Sequence, residues 1–346
     1  MAATPTPERL LQLVRAMAGR PIAVAADLVA DRFITGSPKR ISREAPVLIL
    51  SFESERVVPG GGANAVANVA ALGGRPLALG AIGEDPSGRQ LVAGLEELGV
   101  ATSGILTRAG WHTPTKTRIL GGGRSGVKQQ IVRYDIEENL ELTGGDLARF
   151  RDFLCRAEER PAVGLISDYG YGSATPALVP LLRAELASGA TLLADSRYRL
   201  AEFAGLDGAT PNEEEAEALL GHRLSDRAAE ASASGQALRE RLGMRFLLIT
   251  RGSRGMMLAV EEGTALIPVH GTDQVADVTG AGDTVIGSFA LALAAGASPL
   301  EAALLANYAG GVVVMKMGTA TLSRAELAEA IEKDPLPLEE MQWVAC

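Results

Sequence analysis

The sequence predicts an α/β sandwich, in which a mostly parallel central sheet is covered by helices on both faces and carries a small β lid. Three observations lead there. Short continuous apolar runs alternate with helical patterns through most of the 346 residues, the rhythm of βαβ units whose strands are buried on both faces. Two stretches, 46–58 and 114–136, interrupt that rhythm with β-prone residues around turn glycines. No tandem repeat and no long low-complexity linker divides the chain, which favours one large domain with an inserted lid over two independent units.

The first element is a helix. Thr6-Pro7-Glu8 supplies an N-cap, a proline at the first helical position and an acid in the first turn. Leu10, Leu13, Val14 and Met17 share a face, and Gly19 suits the helix end. Residues 1–20 are assigned to this helix, 21–335 to the main domain and 336–346 to a tail. Pro21–Ala26 is an apolar run ending in Asp27, the way a buried parallel strand brings a polar group to its carboxyl end. The lid occupies segments about 33–59 and 108–136. Val47, Ile49, Ser51 and Glu53 alternate with other types, while Thr115, Thr117 and Ile119 lead through glycines 121–123 towards Ile131–Asp135, a pattern of antiparallel hairpins. Further strands are expected at Leu77–Ile82, Ala162–Ser167, Thr191–Asp195, Phe246–Thr250 and Met256–Val260. Helices are expected at 64–73, 87–98, 145–159, 176–188, 213–220, 229–242, 281–295, 299–315 and 323–333.

Composition removes several functions. Lys and Arg number 33 against 42 Asp and Glu, a net charge of −9, which argues against general nucleic-acid binding because that needs basic surface to displace counterions. With only Cys155 and Cys346 there is no disulfide framework, and the expected location is the reducing cytoplasm. His112, His222 and His270 are scattered and form no zinc pattern. No apolar run reaches the length of a membrane span, and Arg9, Arg15 and Arg20 break the N-terminal stretch in a way that does not suit a signal peptide.

The most informative string is Asp277-Val278-Thr279-Gly280-Ala281-Gly282-Asp283, which runs into an apolar helix. Small residues at a helix N-terminus leave backbone N–H groups open to an anion such as a phosphate. Asp283 then falls in the first turn, where a carboxylate can take a proton from an attacking hydroxyl. The alternative, a tight loop with a helix-start acid, accounts for Gly280–Gly282 alone but less well for the whole string. Pro59-Gly60-Gly61-Gly62-Ala63-Asn64 gives a glycine turn and an amide at a helix start, for ligand approach or simply for a lid hinge with Asn64 as N-cap. Asn212 and Glu215 stand three residues apart at another helix start. They suit a hydrated Mg²⁺ held through its waters, but the local evidence favours the alternative, an N-capped acidic helix. Thr250, Gly252 and Gly255 follow a strand and form a turn able to meet a nucleotide. Asp31, four residues past Asp27, is a candidate for sugar hydroxyls or a plain surface acid.

Together these residues resemble the PfkB/ribokinase family of carbohydrate kinases. Gly60–Asn64 is similar to the family's N-terminal signature, Asp277–Asp283 to its C-terminal signature, and Asn212 with Glu215 to its Asn-x-x-Glu motif. Within the family, Arg40-Ile41-Ser42, Glu44-Ala45-Pro46-Val47, Gln129-Gln130 with Arg133 and Asp135, Ser167-Asp168-Tyr169 and Val313–Thr321 look like the D-glycero-β-D-manno-heptose-7-phosphate kinases of ADP-heptose synthesis. Three features depart from that branch. Asp195-Ser196-Arg197 stands where Asp-Pro-Lys is usual, Tyr171 where a lysine is usual, and Ala26-Asp27 where Gly-Asp is usual.

The resemblance implies a ribokinase-like fold and ATP-dependent phosphorylation of a sugar-phosphate hydroxyl. Asp283 is then the base, and the N–H groups of Gly280, Ala281 and Gly282 stabilise the transferring phosphoryl group. Asp31, Gly61, Gly62 and Asn64 hold the acceptor, with Lys116, Arg133 and Arg197 near its phosphate. Asn212, Thr250, Gly252, Gly255 and Asn307 lie along the nucleotide, the last where family members enclose adenine, as does Gly318. Mg²⁺ is held through water by Asn212 and Glu215, and a monovalent cation, K⁺, is implied near Asp277. The expected partners are ATP, a sugar or sugar phosphate and a second copy of the chain through the lid, with no nucleic acid and no membrane. Such kinases are often fused to an adenylyltransferase; here only the kinase half is expected. The rival readings are another kinase of the family, for a ketose phosphate, ribose or a nucleoside, and a non-catalytic binding regulator on the same fold. A dinucleotide dehydrogenase lacks its Gly-x-Gly-x-x-Gly after the first strand.

Overall fold

The computed structural model describes residues 5–122, 128–271 and 276–345. Gly123 of the expected lid turn, and Cys346, lie outside them. The strands are β1 Pro21–Ala26, β2 Leu28–Ile41, β3 Leu48–Gly61, β4 Arg75–Gly83, β5 Ile105–Arg108, β6 Thr115–Gly121, β7 Gln129–Ile136, β8 Val163–Asp168, β9 Thr191–Ser196, β10 Gly208–Ala209, β11 Phe246–Thr250, β12 Met256–Val260, β13 Gly263–Ile267 and β14 Gln342–Ala345. Ten of them form the central sheet in the order β14-β13-β12-β11-β10-β9-β8-β1-β4-β5. It is parallel from β11 to β5 and antiparallel at the β12–β14 end.

Both faces of the sheet are covered, as the continuous apolar strands require. Side chains of β1 alternate between two cores: Ile22, Val24 and Ala26 join Leu10, Val66, Phe289 and Leu305 on one face, while Ala23 and Ala25 join Leu79, Phe150, Leu182 and Met257 on the other. The helices match the expected ones to within a few residues. Helix Glu213–Leu220, β11 and β12 coincide with the expected bounds.

Four strands differ from the sequence reading. β5 and β10 are too short to show a pattern, and β13 lacks turn chemistry strong enough to separate it from β12. The residues expected as a tail instead form a short helix, Leu336–Glu339, and then β14, which pairs with β13 and closes that edge.

The lid is a second sheet, β3-β2-β6-β7. Its two hairpins, β2–β3 and β6–β7, are antiparallel as expected, and they are joined by a parallel β2–β6 pair. That pairing places Asp31 opposite Lys116 and Phe33 opposite Arg118, so Asp31, Lys116 and Arg118 face the same way, with Phe33 beside them.

Candidate active site

The direction of sheet progression reverses at β1: β4 and β5 lie to one side, β8 and β9 to the other. In open α/β sheets ligands bind in the crevice at the carboxyl ends beside such a reversal. Asp27 stands at that end of β1 and is wholly buried. Its carboxylate accepts backbone N–H bonds from Tyr169 and Tyr171 (both 2.9 Å), Ser173 (2.7 Å) and Ala174 (3.1 Å). Burial pushes its pKa up, and those hydrogen bonds work against the rise. Asp27 therefore shapes the loop after β8. From the other side Asp168 accepts two bonds from Arg199 (3.0 and 2.8 Å), and Arg199 also donates to the Ala174 carbonyl (2.9 Å).

Helix Ala281–Ala294 opens on Gly280 with φ 79°. A side chain there would sit 2.5 Å from Asn64 Nδ2, so both space and dihedral demand glycine. Asp283 is buried in the first turn. One carboxylate oxygen accepts from the Tyr169 hydroxyl at 2.7 Å and the other from Asn64 Nδ2 at 3.2 Å. Burial raises the Asp283 pKa to about 7, against the opposing effect of those two donors. A carboxyl titrating there is about half ionised at neutral pH and more basic than an ordinary carboxylate, which suits general-base work. The Ala281 N–H turns back to the Val278 carbonyl at 3.2 Å, so it does not offer itself to an anion as the sequence reading expects. Gly282 keeps an N–H that helix geometry leaves without an intrahelical partner, and a Cβ on it would meet nothing within 4 Å. The turn has open space at that position.

Asp283 lines a small cavity of about 230 Å³ between the helix start and the lid. Asp31, Gly61, Lys116, Arg133 and Arg197 line it too, as expected, together with Arg118, Tyr169 and Thr319. Asp31 is neutralised by Arg118 at 2.7 Å and accepts from the Thr319 hydroxyl at 2.8 Å. Arg133 pairs with Asp135 (2.8 Å). Among the described residues Lys116 and Arg197 form no ion pair; Lys116 lies over the Tyr169 ring at 5.3 Å and Arg197 over Tyr198 at 5.6 Å. Burial lowers the Lys116 pKa; Asp31 works against that fall, and the nearby Arg133 and Arg197 add to it. Four cations, Lys116, Arg118, Arg133 and Arg197, thus line the cavity against the carboxylates of Asp31 and Asp283.

A larger cavity of about 870 Å³ lies on the other side of Tyr169 and Arg197. Asp195, Asn212, Glu215, Thr250 and Gly282 line it. The Asn212 and Glu215 side chains cap the helix reciprocally, each accepting the other's backbone N–H at 2.9 Å, so the capping alternative is realised here and leaves the rest of each side chain free. Burial raises the Glu215 pKa, and burial with Glu215 and Asp283 nearby holds Asp195 well above the carboxylate range. Among the described residues no three His, Cys, Asp or Glu side chains converge as direct metal ligands. Two buried carboxylates lining one cavity, Asp195 raised further by the Glu215 charge, fit a hydrated Mg²⁺ held through its waters.

The remaining expected site residues stand apart from both cavities. Asn64 holds Asp283 and the Gly280 carbonyl (3.1 Å) instead of capping its helix or meeting the cavity. Gly62 is packed against Ala26, where a Cβ would fall at 2.7 Å. Gly252 opens a 3₁₀ turn after Thr250, and Gly255 is required because a Cβ would lie 2.0 Å from the Ile267 carbonyl oxygen. Asn307 is buried, its amide donating to the Pro268 carbonyl at 2.8 Å. Asp277 accepts N–H bonds from Thr279 (2.9 Å) and Gly318 (3.0 Å); burial opposes its charge, but these bonds prevail and its pKa is lowered. The sequence reading missed Arg118, Tyr169, Asp195 and Thr319 as site residues. Arg118 follows Lys116 by two residues in a strand, a same-face signal that was available; Tyr169, Asp195 and Thr319 fell within strings compared with the heptose kinase branch, with no site role attached to them.

A buried base set between a cationic cavity and an acidic one, at the carboxyl ends of a parallel sheet, is the arrangement of an enzyme that moves a phosphoryl group between two bound molecules. A pfkB family carbohydrate kinase model matches residues 27–158 and 173–326, and the chain belongs to that family. Its fold is ribokinase-like. It superposes on phosphofructokinase-2 from Escherichia coli (TM-score 0.71, 18% identity, 90% of this chain and 98% of that one) and on Arabidopsis thaliana ribokinase (TM-score 0.69, 20% identity, 92% and 100%). It is 38% identical to the bifunctional protein HldE of Mesorhizobium japonicum over 94% of this chain and 65% of that protein. To the HldE of Caulobacter sp. it is 39% identical over 92% of this chain and 64% of that protein. The chain thus spans slightly less than two thirds of the length of these curated relatives.

Proposed function

We propose that the chain is an ATP-dependent kinase for a sugar phosphate, and that its acceptor is the anomeric hydroxyl of D-glycero-β-D-manno-heptose 7-phosphate. The observation that carries this is the group of cations, Lys116, Arg133 and Arg197, facing the same small cavity as Asp283 with too few carboxylates to neutralise it. A dianionic phosphate on the acceptor supplies the missing charge, and an arginine can grip it through two parallel hydrogen bonds. Arg197 keeps the charge of the lysine usual in the heptose kinase branch. Tyr171 does not: its hydroxyl donates to Glu137 at 2.8 Å.

In the reaction Asp283 takes the proton of the acceptor hydroxyl as its oxygen bonds to the γ-phosphorus of ATP. The bond from that phosphorus to the β–γ bridging oxygen breaks and ADP leaves. The Gly282 N–H and the positive end of helix Ala281–Ala294 face the charge on the moving group. Asn212, Glu215 and Asp195 would hold hydrated Mg²⁺, whose chemistry is to neutralise phosphate oxygens. Asp31, already bonded to Arg118 and Thr319, orients the sugar from the lid side, and lid closure keeps water from ATP.

K⁺ near Asp277 and assembly as a lid-to-lid homodimer belong to the same reading. A phosphofructokinase-2 structure is described in complex with potassium, and the lid exposes Ile41, Phe52, Val132 and Tyr134, apolar surface that a second copy would cover. The HldE likeness supports a role in ADP-heptose formation, and the same reading places the chain in the cytoplasm. No helix among the described residues is long and apolar enough to cross a membrane. The test is a panel of heptose, ketose and pentose phosphates and their free sugars with ATP and Mg²⁺. Preference for a ketose phosphate would move the chain to another branch of the family, and no transfer to any acceptor would leave a binding protein.

A further inference from the structure

We infer that Tyr169 is a positioning residue for Asp283, aiming the carboxylate at the acceptor hydroxyl, and that Asp27 acts one step behind it by fixing the loop that carries Tyr169. This rests on the kinase reading. Tyr169 lines both cavities and is held on each side. Its N–H is bonded to Asp27 (2.9 Å), Lys116 lies over its ring (5.3 Å), and Gly61 backs it, where a Cβ would be 3.5 Å from Tyr169 Cδ2. The ring therefore has little freedom when its hydroxyl reaches Asp283 at 2.7 Å.

An aspartate carboxyl turns broadly about its last bond unless something fixes it. Here one donor sits on each oxygen, Tyr169 on one and Asn64 on the other. That sets the plane of the carboxylate. An ionised carboxylate accepts at about four lone-pair sites, so each oxygen keeps room for the acceptor hydroxyl. The charged groups that face Asp283 are Asp31 from β2 and Lys116 from β6, with Asp195 of β9 also within electrostatic reach. The two acids oppose its ionisation, and Lys116 and the two hydrogen bonds favour it. Burial and the neighbouring Asp283 raise the Tyr169 pKa far above its usual value. Tyr169 thus remains a donor and does not compete for the proton that Asp283 removes.

Tyr169→Phe keeps the ring and its packing and deletes only the hydroxyl. We expect kcat to fall roughly tenfold or more while KM for ATP and for the sugar phosphate stay within about threefold. The acidic limb of kcat/KM should move up by about one pH unit, because the base loses a hydrogen bond to its charged form. Infrared titration of the Asp283 carboxyl, with Asp283→Asn as the blank, should show the same upward shift without reference to turnover. Native kcat, an unmoved limb and an unmoved titration, in a protein whose wild type phosphorylates the sugar, would overturn the inference. A shifted titration in a protein that phosphorylates no sugar would leave the hydrogen bond standing and remove the kinase reading instead.

Discussion

The two cavities that meet at Tyr169 and Arg197 have opposite electrical character. The smaller gathers Lys116, Arg118, Arg133 and Arg197 around Asp31 and Asp283, and the larger brings Asp195 and Glu215 together with Asn212. A protein of net charge −9 has separated its charges so that cations outnumber carboxylates in one cavity and carboxylates outnumber cations in its neighbour. Burial opposes the charged form in both: it lowers the Lys116 pKa in one and raises those of Asp195 and Glu215 in the other. Bare charges in such places are costly unless a ligand completes them. The difference teaches that overall acidity says nothing about the sign of a site, and that the two ligands are best read from what each cavity is missing.

The most severe way to break this pairing is to remove the base at the boundary. Asp283→Asn should lower kcat by ~10²–10⁴ with nucleotide binding little changed, as checked by steady-state kinetics and nucleotide titration. In the wild type, Asp283 must be ionised to accept a proton, and its pKa is about 7. The rate at subsaturating acceptor should therefore fall as pH drops through neutrality, about tenfold per unit once well below it.

The cationic side is tested next. Arg197→Ala and Lys116→Met should each raise KM for a phosphorylated acceptor by roughly ten- to a hundredfold, the worth of a hydrogen bond to a charged group, and leave KM for ATP alone. A rise in both constants would place these side chains at the boundary with the nucleotide instead. Gly282→Ala tests the open space at the helix start. Nothing in the folded chain opposes the added methyl, so melting should be native while transfer slows by roughly tenfold through displacement of the phosphoryl group.

The smallest effect is expected on the acidic side. Glu215→Gln preserves the reciprocal cap, because glutamine can accept the Asn212 N–H as glutamate does. The melting temperature should hold while the Mg²⁺ concentration for half-maximal rate rises a few-fold. Early melting with unchanged Mg²⁺ dependence would make Glu215 a capping residue and nothing more.

Much of this was legible before the structure. The strands and helices of the parallel half follow from apolar runs and caps: Asp27 is where a first parallel strand should end, and Ser298 and Ser323 cap their helices reciprocally. The helix-start string around Gly280 led to Asp283, and the glycines after Pro59 to the right corner of the molecule. What was hidden depends on distant pairing. Gly60 reads as room for a ligand but makes room for the Asp31 carboxylate, 2.6 Å from where its Cβ would be. Asn64 reads as a cap, yet reaches across to a helix that begins more than two hundred residues later. β14 could not be recognised because its four residues make sense only beside β13, and Tyr169, though part of the Ser167-Asp168-Tyr169 string, shows its contact with Asp283 only once the loop held by Asp27 is in place.

The measurement that bears most directly on the account is kcat/KM for D-glycero-β-D-manno-heptose 7-phosphate against the same heptose without its phosphate, with ATP and Mg²⁺ fixed. If the cations around the small cavity are there for an acceptor dianion, the phosphorylated sugar should be preferred by roughly a hundredfold or more, the sum of two or more charge-assisted contacts, and the preference should shrink in Arg197→Ala. Equal values for the two sugars would contradict the account and make those cations solvated charges of the lid and of the loop after β9.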